Sequence, residues 1–122
     1  MTARVIVLAQ DLIWADRLAR AVQAAGAEPV SVASLDRFRE ALVTADAAIV
    51  DLTALAYDGV SALDLATVAG TRVLAVGQHD DHELRKRALA AGADRVYAYR
   101  KLFEDGPATI QAWLARPAEI QF

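Results

Sequence analysis

The side chain best placed for chemistry is Asp51, the carboxylate that closes the apolar run Ala47-Ala48-Ile49-Val50-Asp51-Leu52. A short run of this kind between two helix-like segments reads as a central parallel strand, and its last residue then lies at the sheet edge where such folds place their sites. Asp51 is therefore a candidate reactive carboxylate, followed by a loop that reaches Asp58-Gly59. Two other groupings invite chemistry. His79-Asp80-Asp81-His82 has the composition of a metal cluster, but four adjacent residues rarely converge as ligands, and the aspartates read better as helix caps. Arg85-Lys86-Arg87 with Arg95, Arg100 and Lys101 could form a basic patch for nucleic acid. In an acidic domain the same pattern reads as a solvated helix face plus a loop. No glycine-rich phosphate loop, nucleophile elbow or zinc-helix motif is present. No serine or threonine has a histidine partner arranged by sequence, so hydrolase chemistry has no support.

The elements that must position Asp51 follow from periodicity. Val5-Ile6-Val7-Leu8 reads as a strand buried on both faces. Asp11 offers an N-cap to a helix whose Trp14, Leu18, Ala21, Val22 and Ala25 recur at helical spacing until Gly26. Pro29-Val30-Ser31-Val32-Ala33 alternates like an edge strand. Ser34 caps a second helix with a stripe of Leu35, Phe38, Ala41 and Leu42. Beyond the central strand, Val60, Leu63, Ala66 and Val68 form a weaker third helix closing at Gly70. Arg72-Val73-Leu74-Ala75-Val76 is a fourth strand, ended by Gly77, and Asp80 with Glu83 brackets a capping-box start to a fourth helix that ends at Gly92. Val96-Tyr97-Ala98-Tyr99 is a fifth strand, and Pro107 opens a last helix carrying Ile110, Trp113 and Leu114 until Pro117.

Five strands alternating with five helices require crossover connections, and right-handed crossovers put helices on both faces of a parallel sheet. The expected class is α/β: a flavodoxin-like (βα)5 doubly wound sandwich with strand order 2-1-3-4-5. In that order the carboxyl ends of strands 1 and 3 meet at the switch point, making Ala9-Gln10-Asp11 and Asp51 neighbours in space.

A chain of 122 residues is one domain's worth. Residues 1–116 are expected to form it, with 117–122 a tail or the start of a linker. A hydrophobic fraction of 56% beside 24% charged residues describes an ordinary globule rather than a disordered chain. The absence of cysteine removes disulfide and thiolate chemistry and fits a reducing cytoplasm. No apolar segment approaches the roughly 20 residues needed to span a bilayer, so a cytoplasmic, membrane-free protein is expected. A net charge of −3 argues against a nucleic-acid surface over the whole domain.

From about Arg4 to Arg116 the chain resembles the receiver domains of response regulators, the CheY-like family. The marks are Asp51 ending strand 3, Asp46 five residues before it, Asp58-Gly59, Ala25-Gly26 closing helix 1, and Ala91-Gly92-Ala93-Asp94 before strand 5. The resemblance implies a non-enzymatic domain of two-component signal transduction whose strand-3 aspartate accepts a phosphoryl group. It also implies an acidic pair after strand 1 that holds Mg²⁺, a hydroxyl ending strand 4 and a lysine in strand 5. Those positions fall on Ala9 and Gln10, Gly77 and Tyr99; the proline after the lysine falls on Arg100, and the aromatic switch position on Val96. Asp11 is displaced by one residue from the acidic pair.

Mg²⁺ needs oxygen ligands in near-octahedral array, and phosphoryl transfer relies on metal and cationic groups to neutralise developing charge. With Ala9, Gln10, Asp11, Gly77, Tyr99 and Arg100 around it, Asp51 is expected to be an inactive equivalent of the phosphoacceptor, a polar strand terminus satisfied by loop N–H groups or by the Tyr99 hydroxyl, with no cofactor and no Mg²⁺. The expected function is a phosphorylation-independent pseudo-receiver acting as a protein-interaction module. Two alternatives stand beside it: a phosphoacceptor with a site rearranged around Asp11, Gln10 and Asp51, and a flavodoxin-like small-molecule binder using the space near Ala9, Gly77 and Tyr99. Receivers commonly signal through helix 4, strand 5 and helix 5. Here Tyr97, Tyr99, Arg100, Phe103 and Trp113 form the expected interaction surface, for a protein partner or a homodimer, with the equal alternative that Trp113 and one tyrosine pack between helix 5 and the sheet.

Overall fold

The computed structural model describes residues 2–116; the expected tail or linker at 117–122 lies outside them. Ten elements alternate along the chain: β1 (Arg4–Leu8), α1 (Leu12–Ala24), β2 (Glu28–Val32), α2 (Leu35–Leu42), β3 (Ala47–Asp51), α3 (Gly59–Val68), β4 (Arg72–Gly77), α4 (His82–Ala90), β5 (Arg95–Ala98) and α5 (Tyr99–Ala115). The strands form one sheet in the order β2-β1-β3-β4-β5, every pair parallel. This is the expected flavodoxin-like arrangement.

Strand periodicity sorts the core into two layers. Val5 and Val7 of β1, Ala47 and Ile49 of β3, and Leu74 and Val76 of β4 face α1 and α5. Their neighbours Ile6, Leu8, Ala48, Val50, Val73 and Ala75 face α2, α3 and α4. Because β3 is buried at every position, it reads as a continuous apolar run rather than an alternating one. Edge strand β2 pairs only with β1 and is half-exposed, which explains its alternation.

Several boundaries differ from expectation. The fifth strand stops at Ala98, and Tyr99 begins α5. The last helix therefore starts eight residues before Pro107, and Asp105, at φ −143°, breaks it into two segments. Pro107 opens the second of these, which is the part its position signalled. Asp81, not Asp80, caps α4, accepting from Leu84 N at 3.0 Å. Val68 is exposed rather than part of the α3 stripe.

For Trp113 the packing alternative holds and the surface one is corrected: it is 2% exposed and lies under α5. Leu102, Ile110 and Trp113 share the inner face of α5, where the largest apolar side chain gains most from leaving water. Its Nε1 donates to Asp94 Oδ2 at 3.0 Å. Arg72, at the start of β4, reaches the same carboxylate through Nε at 3.2 Å and donates to the carbonyls of Trp113 (2.8 Å) and Arg116 (2.7 Å). A cation thus meets the terminal carbonyls of α5, where the helix dipole is negative.

Candidate functional site

Asp51 stands at the carboxyl end of β3, 3% exposed, on the α1/α5 side by the alternation of the strand. A buried carboxylate requires partners, and its Oδ1 has three. Thr53 N donates at 3.0 Å, Thr53 Oγ1 donates at 2.9 Å, and the Tyr99 hydroxyl donates as well. Thr53 Oγ1 and Tyr99 OH also touch each other. Two hydroxyl protons serve this triangle of oxygens, and both go to the carboxylate, the one charged acceptor. The ring of Trp14, from the first turn of α1, packs edge-on against Tyr99 with centroids 4.7 Å apart.

The environment acts on the phenols. Burial first, then the hydrogen bond to Asp51, pushes Tyr99 well above the ordinary tyrosine value, while the Thr53 contact opposes the shift and the charges of Asp51 and Asp11 add to it. Tyr57 is raised by burial, then by the charge of Asp51, then by Tyr99. Its hydroxyl, inside the β3–α3 loop, donates to Asp51 O at 2.8 Å and to Leu8 O at 3.1 Å. Tyr57 therefore ties the ends of β1 and β3 to the loop.

Gln10 makes the reciprocal tie. From the β1–α1 loop its Oε1 accepts from Leu55 N (2.8 Å) and Ala56 N (3.1 Å), and so bridges the switch point. Asp11 turns the other way, capping α1 by accepting from Trp14 N at 2.9 Å. Ala9 is buried and brings no side-chain donor or acceptor. As a fit for Mg²⁺ this group is poor: one oxygen of Asp51 is saturated, Gln10 is engaged with two backbone amides, and Asp11 with a third. Replacing Gln10 with alanine leaves those two amides without their acceptor. Hydrogen exchange at Leu55 and Ala56 is expected to accelerate markedly, with a loss of about 1 kcal/mol or less in global stability because the loop is exposed to water; exchange followed by NMR or mass spectrometry checks this.

Two residues expected in the pocket are elsewhere. Arg100 is exposed, pairing with Glu104 at 2.9 Å along α5, because the chain has already turned into helix at Tyr99. Gly77 falls on the α2–α4 side by alternation, and Leu52 fills the space beside it, 3.5 Å from where a Cβ would stand. Leu52 also explains Gly59: a Cβ there would lie 2.9 Å from Leu52 Cα, so only glycine lets the start of α3 close over the loop. Asp58 caps that helix, accepting from Val60 N at 3.3 Å and the Ser61 hydroxyl at 2.9 Å. Gly77 therefore lies across the sheet from Ala9 and Tyr99, lining a small opening with Leu52, Arg85 and Val96 rather than sharing one space with them.

Of the expected surface residues, Tyr97 is half-buried against the α1/α5 layer, Tyr99 is held by Asp51, and Phe103 is exposed with the Arg17 guanidinium 4.1 Å above its ring. The basic residues are partly committed inside the chain: Arg85 donates to Val96 O at 2.8 Å, and Lys101 pairs with Asp105 at 3.6 Å. Among the described residues no three histidine or acidic side chains converge as metal ligands, and no helix is long and apolar enough to cross a membrane. Sequence reasoning overlooked Thr53 and Tyr57. Thr53 had a local signal, since an aspartate commonly accepts from the amide two residues on. Tyr57 had only its aromatic character in an otherwise small and polar loop.

Comparison with protein-family models and with curated proteins gives no match. Solved structures do superimpose on nearly the whole chain. The BeF3-activated receiver domain of DrrB from Thermotoga maritima matches with a TM-score of 0.82 at 17% identity, over 95% of this chain and 100% of that one. A LuxR-family two-component response regulator from Aurantimonas matches at 0.80 and 22% identity, over 94% and 86% of the two chains. A response regulator receiver domain protein from Clostridium thermocellum matches at 0.76 and 17%, over 90% and 92%. The chain has the receiver fold.

Proposed function

We propose that this chain is a receiver-like signalling domain that works without phosphoryl transfer, as a non-enzymatic, cytoplasmic protein-interaction module. The observation that carries the reading is the occupation of Asp51 Oδ1 by Thr53 N, Thr53 Oγ1 and Tyr99 OH. Three hydrogen bonds to one oxygen draw charge from the whole carboxylate and so weaken it as a nucleophile. The cross-links that a metal ion and a lysine would provide between loops are supplied by Gln10, Tyr57 and Tyr99 instead. Loss of one charge-stabilising donor typically lowers rate by about 10²–10³-fold, and here the acidic pair, the hydroxyl and the lysine are all replaced. The partner surface is then set by packing rather than by a phosphorylation-driven switch.

Intact-mass measurement after incubation with acetyl phosphate and Mg²⁺ tests this reading. The mass is expected to stay unchanged. An Mg²⁺-dependent adduct of one phosphoryl group, mapped to Asp51, overturns the proposal in favour of a rearranged phosphoacceptor.

A further inference from the structure

The first part of α5 is a separate piece of helix. Asp105, at φ −143° and ψ 30°, interrupts it, which leaves residues 99–104 as less than two turns on their own. The other helices are capped by Asp11, Ser34, Asp58 and Asp81, but Ala98 before α5 brings no side-chain acceptor. A segment this short is not stable as an isolated helix in water, and the exposed pairs Arg100–Glu104 and Lys101–Asp105 add little. Its place is therefore set by contacts with the rest of the chain.

Those contacts are unequal along its length. Behind the break, Gly106 sits so close to α1 that a Cβ there would lie 3.2 Å from Ala21 Cβ, and Thr109, Ile110 and Trp113 bury the second segment. That end is fixed. Within 99–104 Leu102 alone is buried, and apolar burial is non-directional. Phe103 adds an exposed stack with Arg17. The directional contact is at Tyr99, whose hydroxyl donates to Asp51 Oδ1 and whose ring meets that of Trp14. A hydrogen bond to a charged acceptor is about twice as strong as one between neutral groups, and this acceptor stands on β3, a strand buried at every position.

We propose that residues 99–104 form a strap that docks and undocks about the break at Asp105, with the Tyr99 hydroxyl as its latch and Asp51 as the positioning residue that holds it shut. The strap stays tethered at both ends, by β5 and by the segment beyond Gly106, so undocking is a local opening and not an unfolding of the domain. Exposed Arg100 and Phe103 travel with it, and Asp51 thereby sets what this part of the surface presents. The strap shares the Tyr99–Asp51 contact with the phosphorylation-independent reading. Its test uses neither phosphodonor nor Mg²⁺, and so succeeds or fails independently of any phosphoryl adduct.

Native-state amide hydrogen exchange, followed by NMR in increasing sub-denaturing urea, supplies that test. In the native chain the amides of Leu102, Phe103 and Glu104 are expected to exchange faster than those of Ile110, Gln111 and Ala112, at rates almost independent of urea, as a local opening requires. Tyr99→Phe keeps the ring beside Trp14 and removes the latch. It is expected to speed exchange at 102–104 by about tenfold or more, still without urea dependence and with an unchanged circular dichroism spectrum. Asp51→Asn, whose neutral amide oxygen still accepts, should speed the same amides by less, and the double variant should go no further than Tyr99→Phe, because Asp51 acts on the strap through Tyr99. Tyr97→Phe, two residues earlier, is expected to leave all these rates native. Exchange at 102–104 only with the urea dependence of 110–112, native rates or a non-native spectrum in Tyr99→Phe, additive effects in the double variant, or equal acceleration in Tyr97→Phe overturns the proposal.

Discussion

Replacing Trp113 with alanine is expected to lower the free energy of unfolding by about 3–5 kcal/mol, read as a fall in urea midpoint at unchanged slope. Three effects combine. The indole fills the space between α5 and the sheet beside Leu102 and Ile110, and the neighbouring backbone cannot collapse fully into the cavity left behind. Asp94 loses the Nε1–H donor it shares with Arg72, and Arg72 loses the ring beneath its guanidinium. Trp113→Phe separates these contributions: it keeps most of the apolar volume and should cost about 1–3 kcal/mol, the share of the lost hydrogen bond and the smaller ring. Had Trp113 been a surface anchor, the alanine variant would weaken partner binding with little change in stability. Its burial predicts the reverse, so this variant reports on folding and is unsuitable as an interface probe.

Stability is expected to fall as pH rises above about 10, the ordinary ionisation range of tyrosine. Tyr57 and Tyr99 are both held above that value, each chiefly by burial and then by Asp51. Once the pH passes the ordinary value, the unfolded chain releases these protons while the folded chain keeps them. The unfolded state then binds fewer protons, and the free energy of unfolding must decrease with further rise in pH. The contribution of the two phenols is whole below about pH 10 and disappears as pH climbs through the folded-state values. Urea midpoints measured stepwise from neutral pH upward check this. Tyr57→Phe should flatten the alkaline decline, since one raised phenol is gone. The same variant should lower the neutral plateau by about 1–3 kcal/mol, because the buried carbonyls of Leu8 and Asp51 lose their shared donor. A midpoint that holds steady through this range would contradict the assignment of buried Tyr57 and half-buried Tyr99 as neutral donors.

The helix termini show how far local chemistry is legible. Asp11 and Ser34 accept from the amides three residues on, as their types and positions indicated, since capping needs only a short side chain and the first turn of its own helix. The choice of Asp81 over Asp80 was not legible, because adjacent aspartates offer the same side chain and only the direction of the chain leaving Gly77 selects one. Tyr99 illustrates the same limit. Its alternation with Tyr97 suggested strand, yet β5 pairs with β4 only as far as Gly77 opposite Ala98. With no further partner the backbone turns into helix.

By itself the sequence determined the layer architecture and the strand order, since apolar runs, caps and glycine stops are local and right-handed crossovers leave few topologies. It also located Asp51 at the switch point and indicated that the groups around it had changed type. It offered loop N–H groups or the Tyr99 hydroxyl as partners of that carboxylate, and the structure has both; what Gln10 and Tyr57 do, and how Tyr99 arrives, only the tertiary structure decided. Gln10 reaches across 45 residues to Leu55, Tyr57 reaches 49 residues back to Leu8, and Tyr99 meets Asp51 from 48 residues away. Such contacts depend on sheet register and loop path, which no local pattern encodes. The same holds for Trp113 and Phe103, two aromatics of α5 with opposite fates. Helical rotation turns one onto the sheet and the other into solvent over the seam with α1, and burial rather than residue type separates core from surface.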